Sequence, residues 1–229
     1  SCRGISIQYS SNSIGTKGGF WVGWRNSLKM SCIHACCNFL ILLVEESNGL
    51  LWYLCLTYGE PVLAMRHPKW EWLSEWLNRN TNSHFIIMGD INQVDYHADK
   101  VGSSNSVLEG ADWFNEWKGN INLVDVLFKG SRFTWTNNRK GGDRIMEKLD
   151  KAYISMDLFS HFPEVGVKHY AIHLSDHASI ELALHLTKEM TKRPYKLEAW
   201  SFGYEECVDH LRNTWKEEVQ GSSSYRLAR

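Results

Sequence analysis

Three polar clusters stand at the ends of apolar, strand-like segments, and this arrangement constrains the fold more than any other feature of the chain. The clusters are Gly89-Asp90-Ile91-Asn92, Leu149-Asp150 and Ser175-Asp176-His177. The first follows residues 84–88, a short, mostly apolar run typical of a strand buried on both faces. Loops at strand ends commonly carry catalytic residues, because a rigid scaffold holds them. The pattern predicts a sheet whose edge carries carboxylate, amide and imidazole groups.

Strand and helix patterns are mixed along the chain. Apolar runs and turn signals predict strands at about 15–24, 31–44, 50–57, 84–88, 133–136, 145–149, 164–173 and 178–186. Helical spacing predicts helices at about 68–80, 105–118, 155–162 and 203–219. The strands at 31–44 and 50–57 are expected to form one hairpin. Elements of these kinds in this mixture predict an α/β sandwich with mixed or largely antiparallel sheets.

Composition narrows the function classes without selecting one. The 229 residues carry a net charge of −1, so any site for a polyanion has to be a local concentration of positive charge. Six cysteines at irregular spacing form no disulfide framework, which favours a reducing intracellular compartment. The apolar run at 38–44 is too short to span a bilayer, so no membrane association is expected.

Asp90 and Asn92 are the first candidate pair for chemistry. In an extended segment, residues two apart point the same way, so both side chains can face one cavity. The carboxylate could take a proton from water while the amide orients that water or a phosphate oxygen. An Asx-type turn that closes the strand is the alternative interpretation. Tyr58, before Gly59-Glu60-Pro61, could add a phenolic donor, and packing in the core is its alternative.

Asp176 and His177 are the second candidate pair. A hard cation such as Mg²⁺ would take the oxygen ligand, Asp176. His177 could donate to a phosphate oxygen while another carboxylate holds its ring. A solvent-facing turn is the alternative. Cleavage of a phosphodiester needs a cation, a base and hydrogen-bond donors, and the polar clusters together supply these groups.

Four blocks in order resemble the endonuclease domain of plant LINE-type (non-LTR) retrotransposons. They are residues 89–92, 133–139, 144–153 and 175–177. These domains are similar to apurinic endonucleases and DNase I, in the metal-dependent endonuclease/exonuclease/phosphatase superfamily. The resemblance implies an α/β fold, a DNase I-like four-layer α/β/β/α sandwich of two mixed, largely antiparallel sheets. Residues 193–200 also resemble the segment that joins this domain to a reverse transcriptase.

The resemblance implies roles for the residues at the strand ends. Asp90 would activate the attacking water, and Asn92 would help to position the water and the phosphate. His177 would contact the scissile phosphate, with Asp150 orienting its imidazole. Tyr58 would lie against the phosphate.

The resemblance also implies a metal site and a DNA surface. Asp176 would help to bind Mg²⁺, with Mn²⁺ as an alternative. Phe133, Trp135 and Asn137 would lie near the DNA, where aromatic side chains can pack on sugars or bases. Packing in the core is the alternative for Trp135. Arg139, in a basic turn, would contact phosphate, with a solvated hairpin tip as its alternative.

The chain departs from the family pattern at its start. The family begins with a strand that ends in Asn and a second strand that ends in a metal-binding Glu, both before a Gly-Gly turn that resembles Gly18-Gly19. Here 17 residues precede that turn, and neither element is recognised among them. We therefore expect residues 1–187 to be an N-terminally incomplete domain that lacks the first strands and the principal Glu ligand, with weak metal binding and little cleavage. Residues 188–229 would form a linker and helix toward a reverse transcriptase region.

Three functions follow as hypotheses. The leading one is a Mg²⁺-dependent phosphodiesterase that nicks target DNA, in an intracellular and nuclear protein whose partners are DNA and a reverse transcriptase region of the same polyprotein. The second is a phosphatase of the same superfamily that acts on inositol phosphates or lipid phosphodiesters. The third is a catalytically dead remnant or a binding module, which the absent Glu favours.

Overall fold

The computed structural model describes residues 5–10, 19–80, 83–102, 107–186 and 204–216. The chain divides into two compact units, Ser1–Leu186 and Thr187–Arg229. The first unit contains all of the described strands and three helices, and the second contains one described helix. Within the described residues, no helix is long and apolar enough to span a membrane.

The first unit consists of strands that are joined either by turns or by helices. Its strands are β1 (Ile5–Ser10), β2 (Trp21–Arg25), β3 (Lys29–Ala35), β4 (Phe39–Glu45), β5 (Leu51–Tyr58), β6 (Phe85–Asp90), β7 (Lys100–Val101), β8 (Leu123–Asp125), β9 (Phe128–Gly130), β10 (Trp135–Thr136), β11 (Met146–Glu147), β12 (Asp150–Ser155), β13 (Gly166–His169) and β14 (Ile180–Ala183). Its helices are α1 (Leu63–Asn80), α2 (Ala111–Asn120) and α3 (Met156–Phe159), and the second unit contains α4 (Glu205–Lys216).

A six-stranded sheet forms the centre of the first unit, in the order β3-β4-β5-β6-β12-β8. Strands β5 and β6 are parallel, because α1 connects them as a crossover, and the other pairs are antiparallel. Strands β14, β13 and β9 form a second sheet of three strands, in which β13 and β9 are parallel. The small sheets β10-β11-β7 and β1-β2 complete the described pairing.

Both faces of the central sheet are covered, which explains why its inner strands are apolar on both sides. Helices α1 and α2 pack on one face through buried aromatic and aliphatic residues, which are Trp70, Leu73, Leu77, Phe114 and Trp117. The opposite face packs against residues in and around the second sheet, including Val126, Leu182 and Leu184. The fold is therefore the expected α/β sandwich of mixed, largely antiparallel sheets.

Several predicted elements differ from those observed. The strand predicted at 31–44 is two strands, because the chain turns at 36–38 and the Cys36 amide donates to the Phe39 carbonyl at 2.8 Å. Helix α1 begins at Leu63, before the predicted start, and contains Pro68. Helix α2 begins only at Ala111, after Gly110 in the left-handed region. Strand β1 precedes the glycine turn and pairs with β2, although the sequence pattern did not indicate it.

Strand β12 is the most consequential difference. The sequence pattern placed the end of a strand at Leu149, but Asp150 begins a strand whose six residues are all buried. The sequence pattern did not indicate β12, because this strand begins with two charged residues, Asp150 and Lys151. Both side chains have polar partners elsewhere in the fold. Buried charges are tolerated where such partners satisfy them.

Candidate active site

Three strand ends meet at one edge of the central sheet. Tyr58 ends β5, Asp90 ends β6 and Asp150 begins β12. Tyr58 and Asp150 are both register partners of Asp90, one on each side. The parallel pairing of β5 with β6 and the antiparallel pairing of β6 with β12 place these residues side by side. The expectation that polar groups cluster at a sheet edge is confirmed for these three.

Asn92 closes the turn after Asp90 and fixes the Asp90 carboxylate. Its φ of 52° lies in the left-handed region, which Asn adopts more readily than most residues. The Asn92 backbone amide donates to Asp90 Oδ1 at 2.9 Å, and the Asn92 Nδ2 donates to Asp90 Oδ2 at 3.1 Å. The same Nδ2 donates to the Gly59 carbonyl at 2.7 Å, which ties the turn to the end of β5. The Asx-type turn at Asn92 therefore also holds the Asp90 carboxylate in a fixed orientation.

His177 is held against Asp150. Its Nδ1 lies 2.9 Å from Asp150 Oδ2, so Nδ1 carries the donated proton and Nε2 is the ring nitrogen that this contact does not use. A β-bridge between Trp135 and His177 fixes the backbone of this loop. The hydrogen bond to Asp150 raises the pKa of His177 above its usual value, and burial only partly opposes this effect.

The two carboxylates crowd each other. Burial, followed by the charge of Asp150, raises the pKa of Asp90 from 3.8 to about 6. Ligand atoms of Asp90, Asp150 and His177 lie within 4.8 Å of one another, and this is the one such group among the described residues. A divalent cation would relieve the repulsion, and carboxylate oxygens are ligands that Mg²⁺ and Mn²⁺ prefer. The donor set therefore fits a divalent cation.

Asp176 lies beside this group but outside it. The residue is exposed, and its Oδ2 accepts a hydrogen bond from the Trp135 indole at 3.2 Å. Its backbone carbonyl accepts from the Thr136 amide at 3.0 Å. Slight desolvation raises the pKa of Asp176, but hydrogen bonds from its own amide and from Trp135 outweigh it, so the pKa lies below its usual value. An ionised carboxylate is available there, and its assignment as a metal ligand stays a prediction.

The four predicted DNA-contacting residues lie in different environments. Phe133 is buried in the fold, and Trp135 is half-buried with its indole bound to Asp176. Arg139 is exposed on the hairpin tip, where its guanidinium is available to solvent. Of these three residues, Arg139 therefore has the position best suited to a phosphate contact.

Asn137, the fourth, is used to build the hairpin. Its Oδ1 accepts from the amides of Arg139 at 3.2 Å and Ile145 at 3.0 Å. Its Nδ2 donates to the Asp143 carbonyl at 2.9 Å. These three hydrogen bonds use most of the capacity of the amide group. Asn137 shapes the turn that presents Arg139.

Two features of the site were not predicted from the sequence. The first is Thr134, whose hydroxyl accepts hydrogen bonds from the backbone amides of Leu149 and Asp150. Only the threonine between Phe133 and Trp135 could have pointed to it, because its partners lie 15 and 16 residues away. The contact supports the backbone from which the Asp150 carboxylate projects.

The second is a buried charge cluster on the opposite face of β12. Asp95 accepts from Lys151 Nζ at 2.6 Å, from Lys118 Nζ at 2.8 Å and from the Tyr153 hydroxyl at 2.7 Å. Lys151 also donates to the Gln93 carbonyl at 2.9 Å. The three charged side chains are each at most 5% exposed. The cluster anchors the loop that follows Asn92 to the strand that carries Asp150.

The fold agrees with that of a solved endonuclease. The sequence matches no protein-family model, and no curated protein has significant sequence similarity to it. Among solved structures, the endonuclease domain of TRAS1, a telomere-specific non-LTR retrotransposon, superposes with a TM-score of 0.62 at 17% identity. The alignment covers 81% of this chain and 82% of that domain. This chain has the fold of that endonuclease domain.

Two further solved structures are similar at lower scores. An endonuclease/exonuclease/phosphatase family protein from Bacteroides thetaiotaomicron has a TM-score of 0.49 at 12% identity, covering 78% of this chain and 74% of that one. TDP2 from D. rerio, solved with a single-strand DNA product, has a TM-score of 0.43 at 14% identity, covering 77% and 75%.

Proposed function

We propose that this chain is a metal-dependent phosphodiesterase domain that nicks DNA, of the retrotransposon endonuclease type. The observation that carries the proposal is the placement of the Asp90 carboxylate beside the hydrogen-bonded Asp150–His177 pair at one sheet edge. The likeness to the TRAS1 endonuclease domain supports DNA as the substrate, as does the resemblance of residues 133–139 to LINE endonucleases.

In this proposal Asp90 is the general base and His177 donates a hydrogen bond to the phosphate. Asp90 takes the proton of the attacking water, and in the metal-free protein burial and the charge of Asp150 raise its pKa to about 6, above that of an ordinary carboxylate. Asn92 holds both Asp90 oxygens and so fixes the direction from which the water is deprotonated. His177 directs Nε2 toward a phosphate oxygen, because Nδ1 is engaged by Asp150. Tyr58 adds a phenolic donor at the same edge.

A divalent cation, Mg²⁺ with Mn²⁺ as an alternative, would be held by Asp90 and Asp150, with Asp176 as a further ligand. When bound, it supplies charge stabilisation for the phosphoryl oxygens. The first 44 residues contain no Asp or Glu, so they supply no carboxylate side chain to this site. We further propose a nuclear protein in which a reverse transcriptase region uses the nicked DNA.

The test is a nicking assay on supercoiled plasmid with Mg²⁺ or Mn²⁺, comparing the wild type with His177→Ala and with His173→Ala as a control. Loss of the phosphate donor is expected to lower the nicking rate by roughly 100-fold or more, whereas exposed His173 is outside the cluster and its loss should change nothing. Chelation by EDTA should abolish the activity of the wild type.

Absence of nicking with either cation would contradict the proposal and favour the catalytically dead remnant. Wild-type nicking by His177→Ala would also contradict the proposal. An inositol phosphate and a sphingomyelin-type phosphodiester complete the substrate panel. Hydrolysis of either in preference to DNA would assign the site to the phosphatase alternative.

Arg139 and Asn137 are expected to respond differently to truncation. Arg139→Ala should weaken binding to duplex DNA and reduce the salt dependence of binding by about one unit of log-log slope, with stability unchanged. Asn137→Ala should lower the free energy of unfolding by about 1 kcal/mol, because three turn hydrogen bonds are lost. Binding titrations in EDTA at several salt concentrations and urea denaturation measure the two effects. If Arg139→Ala and Asn137→Ala lost the same amount of stability, the assignment of Arg139 to DNA binding and of Asn137 to the turn would be wrong.

A further inference from the structure

Thr134 is fully buried, and its side chain serves the backbone of another strand. Its relative exposure is 0%, and its Oγ1 accepts from the Leu149 amide at 3.0 Å and from the Asp150 amide at 2.9 Å. Both donors lie where the chain enters β12. A buried amide without an acceptor costs about 1–3 kcal/mol. One hydroxyl therefore satisfies two backbone groups at the position from which the Asp150 carboxylate projects.

The backbone of Thr134 reaches the other half of the pair. Its carbonyl accepts from the Ala178 amide at 2.7 Å, directly after His177. Its amide donates to the Glu147 carbonyl at 2.9 Å. Thr134 thus bonds to the segment that carries Asp150 through its hydroxyl and to the segment that carries His177 through its carbonyl.

We propose that Thr134 is a positioning residue for the Asp150–His177 pair. The inference rests on the proposed function for its effect on cleavage, and on geometry alone for its effect on the pair. The carboxylate and the imidazole come from segments 27 residues apart, and their atoms meet at 2.9 Å. Hydrogen bonds weaken steeply as distance and angle depart from their optimum. A small shift at the start of β12 would therefore release His177 Nδ1.

The decisive substitution removes the hydroxyl and keeps the shape. Thr134→Val leaves the Leu149 and Asp150 amides unpaired, so the start of β12 has to move to satisfy them. Thr134→Ser keeps an oxygen acceptor and should rescue the defect. Thr136→Val is the matched control, because Thr136 is also buried, in the neighbouring strand β10, and its hydroxyl accepts from the Asn138 amide at 3.3 Å rather than from the start of β12.

The first readout is kinetic. Thr134→Val should lower the kcat of plasmid nicking by about 10- to 100-fold, with KM for DNA nearly unchanged, because losing a partner that orients a functional side chain typically has this effect. Thr134→Ser and Thr136→Val should retain most of the activity. If activity fell only because less protein were folded, every variant of lowered stability would lose activity in the same way, Thr136→Val included.

The second readout does not need activity. Long-range proton–nitrogen NMR on metal-free protein reports which ring nitrogen of His177 carries the proton in the neutral form. The Nδ1–H tautomer is expected in the wild type, Thr134→Ser and Thr136→Val, and a shift toward Nε2–H is expected in Thr134→Val. Folded Thr134→Val with the wild-type tautomer would overturn the inference. If the wild type does not nick DNA, the proposed function fails, while the tautomer still decides the role of Thr134.

Discussion

Replacing Asp90 by Asn is expected to stop nicking and, at neutral pH, to stabilise the fold. The variant keeps the size of the side chain but cannot accept the proton of the attacking water, so the nicking rate should fall by about 100-fold or more. The stability gain follows from the environment of Asp90, which is buried and faces Asp150 across the sheet. A site that requires two crowded carboxylates stores unfavourable energy that its neutral variant lacks.

The direction of the pH dependence follows from the raised pKa. Asp90 titrates at about 6 in the folded protein and near 3.8 when exposed. Below about pH 4 the group is protonated in both states, and its full contribution to stability is present. Between about pH 4 and pH 6 the exposed group ionises while folded Asp90 keeps its proton, and this difference lowers the stability by about 3 kcal/mol, a loss that is complete once the pH has risen through 6. Asn does not titrate, so Asp90→Asn should differ from the wild type by about 3 kcal/mol more at pH 7 than at pH 4. Because its amide loses an acceptor for Asn92, the variant should lose about 1–2 kcal/mol at pH 4 and gain about 1–2 kcal/mol at pH 7.

Urea denaturation of both proteins at pH 4 and pH 7 measures this difference, with exposed Asp143→Asn as the control. Saturating Mn²⁺ should stabilise the wild type and leave Asp90→Asn nearly unaffected, because the cation binds the charged pair. If Asp90→Asn is less stable than the wild type at pH 7, the stated repulsion between the Asp90 and Asp150 carboxylates is wrong. Wild-type nicking by the variant would remove Asp90 from the role of base.

Asp95→Ala should cause the largest loss of stability in the chain. Lys118, Lys151 and Tyr153 all donate to Asp95 in a buried environment. Among the described residues, removing the shared acceptor leaves buried Lys118 with only half-exposed Asp125, at 3.2 Å, as an acidic partner. It leaves buried Lys151 with only Asp99, at 3.7 Å. Breaking a buried ion pair in this way costs about 3–5 kcal/mol. A domain is typically stable by only about 5–15 kcal/mol, so this one substitution should remove a large share of the stability.

Asp125→Ala is the matched control for this substitution. Asp125 also pairs with Lys118, at 3.2 Å, but its side chain is 50% exposed, and such pairs contribute about 1 kcal/mol or less. Denaturation followed by tryptophan fluorescence compares the two variants with the wild type. Similar small losses for Asp95→Ala and Asp125→Ala would mean that water reaches the cluster and solvates the lysines.

Local patterns predicted part of the fold and of the site. The sequence placed Asp90 and Asn92 together, as an extended segment with an Asx-type turn as the alternative, and the structure has the turn, with Asn92 at a φ of 52°. The class of sandwich followed from the mixture of strands and helices and agrees with the structure. The resemblance to LINE endonucleases implied the Asp150–His177 contact, which the structure contains.

The missed features depend on distant partners. Strand β12 begins with Asp150 and Lys151, which read as surface charges unless His177 and Asp95 are known to meet them. Thr134 looks like any strand threonine, because its acceptor role arises only when two segments pack. Periodicity describes which faces are apolar, and it does not show which buried polar groups find each other across the fold.

The alternation along β12 couples catalysis to folding. Asp150 faces His177 on one side of the sheet, and the next residue, Lys151, faces Asp95 on the other. A slip of one residue in the pairing with β6 would exchange these faces, since side chains alternate along a strand. The Lys151 ammonium group would then lie on the face of His177, and the Asp150 carboxylate would lie on the face of Asp95. The same misalignment would thus disable the chemistry and remove the ionic anchor, so a stable register-shifted form that merely lacks activity is not open to this chain.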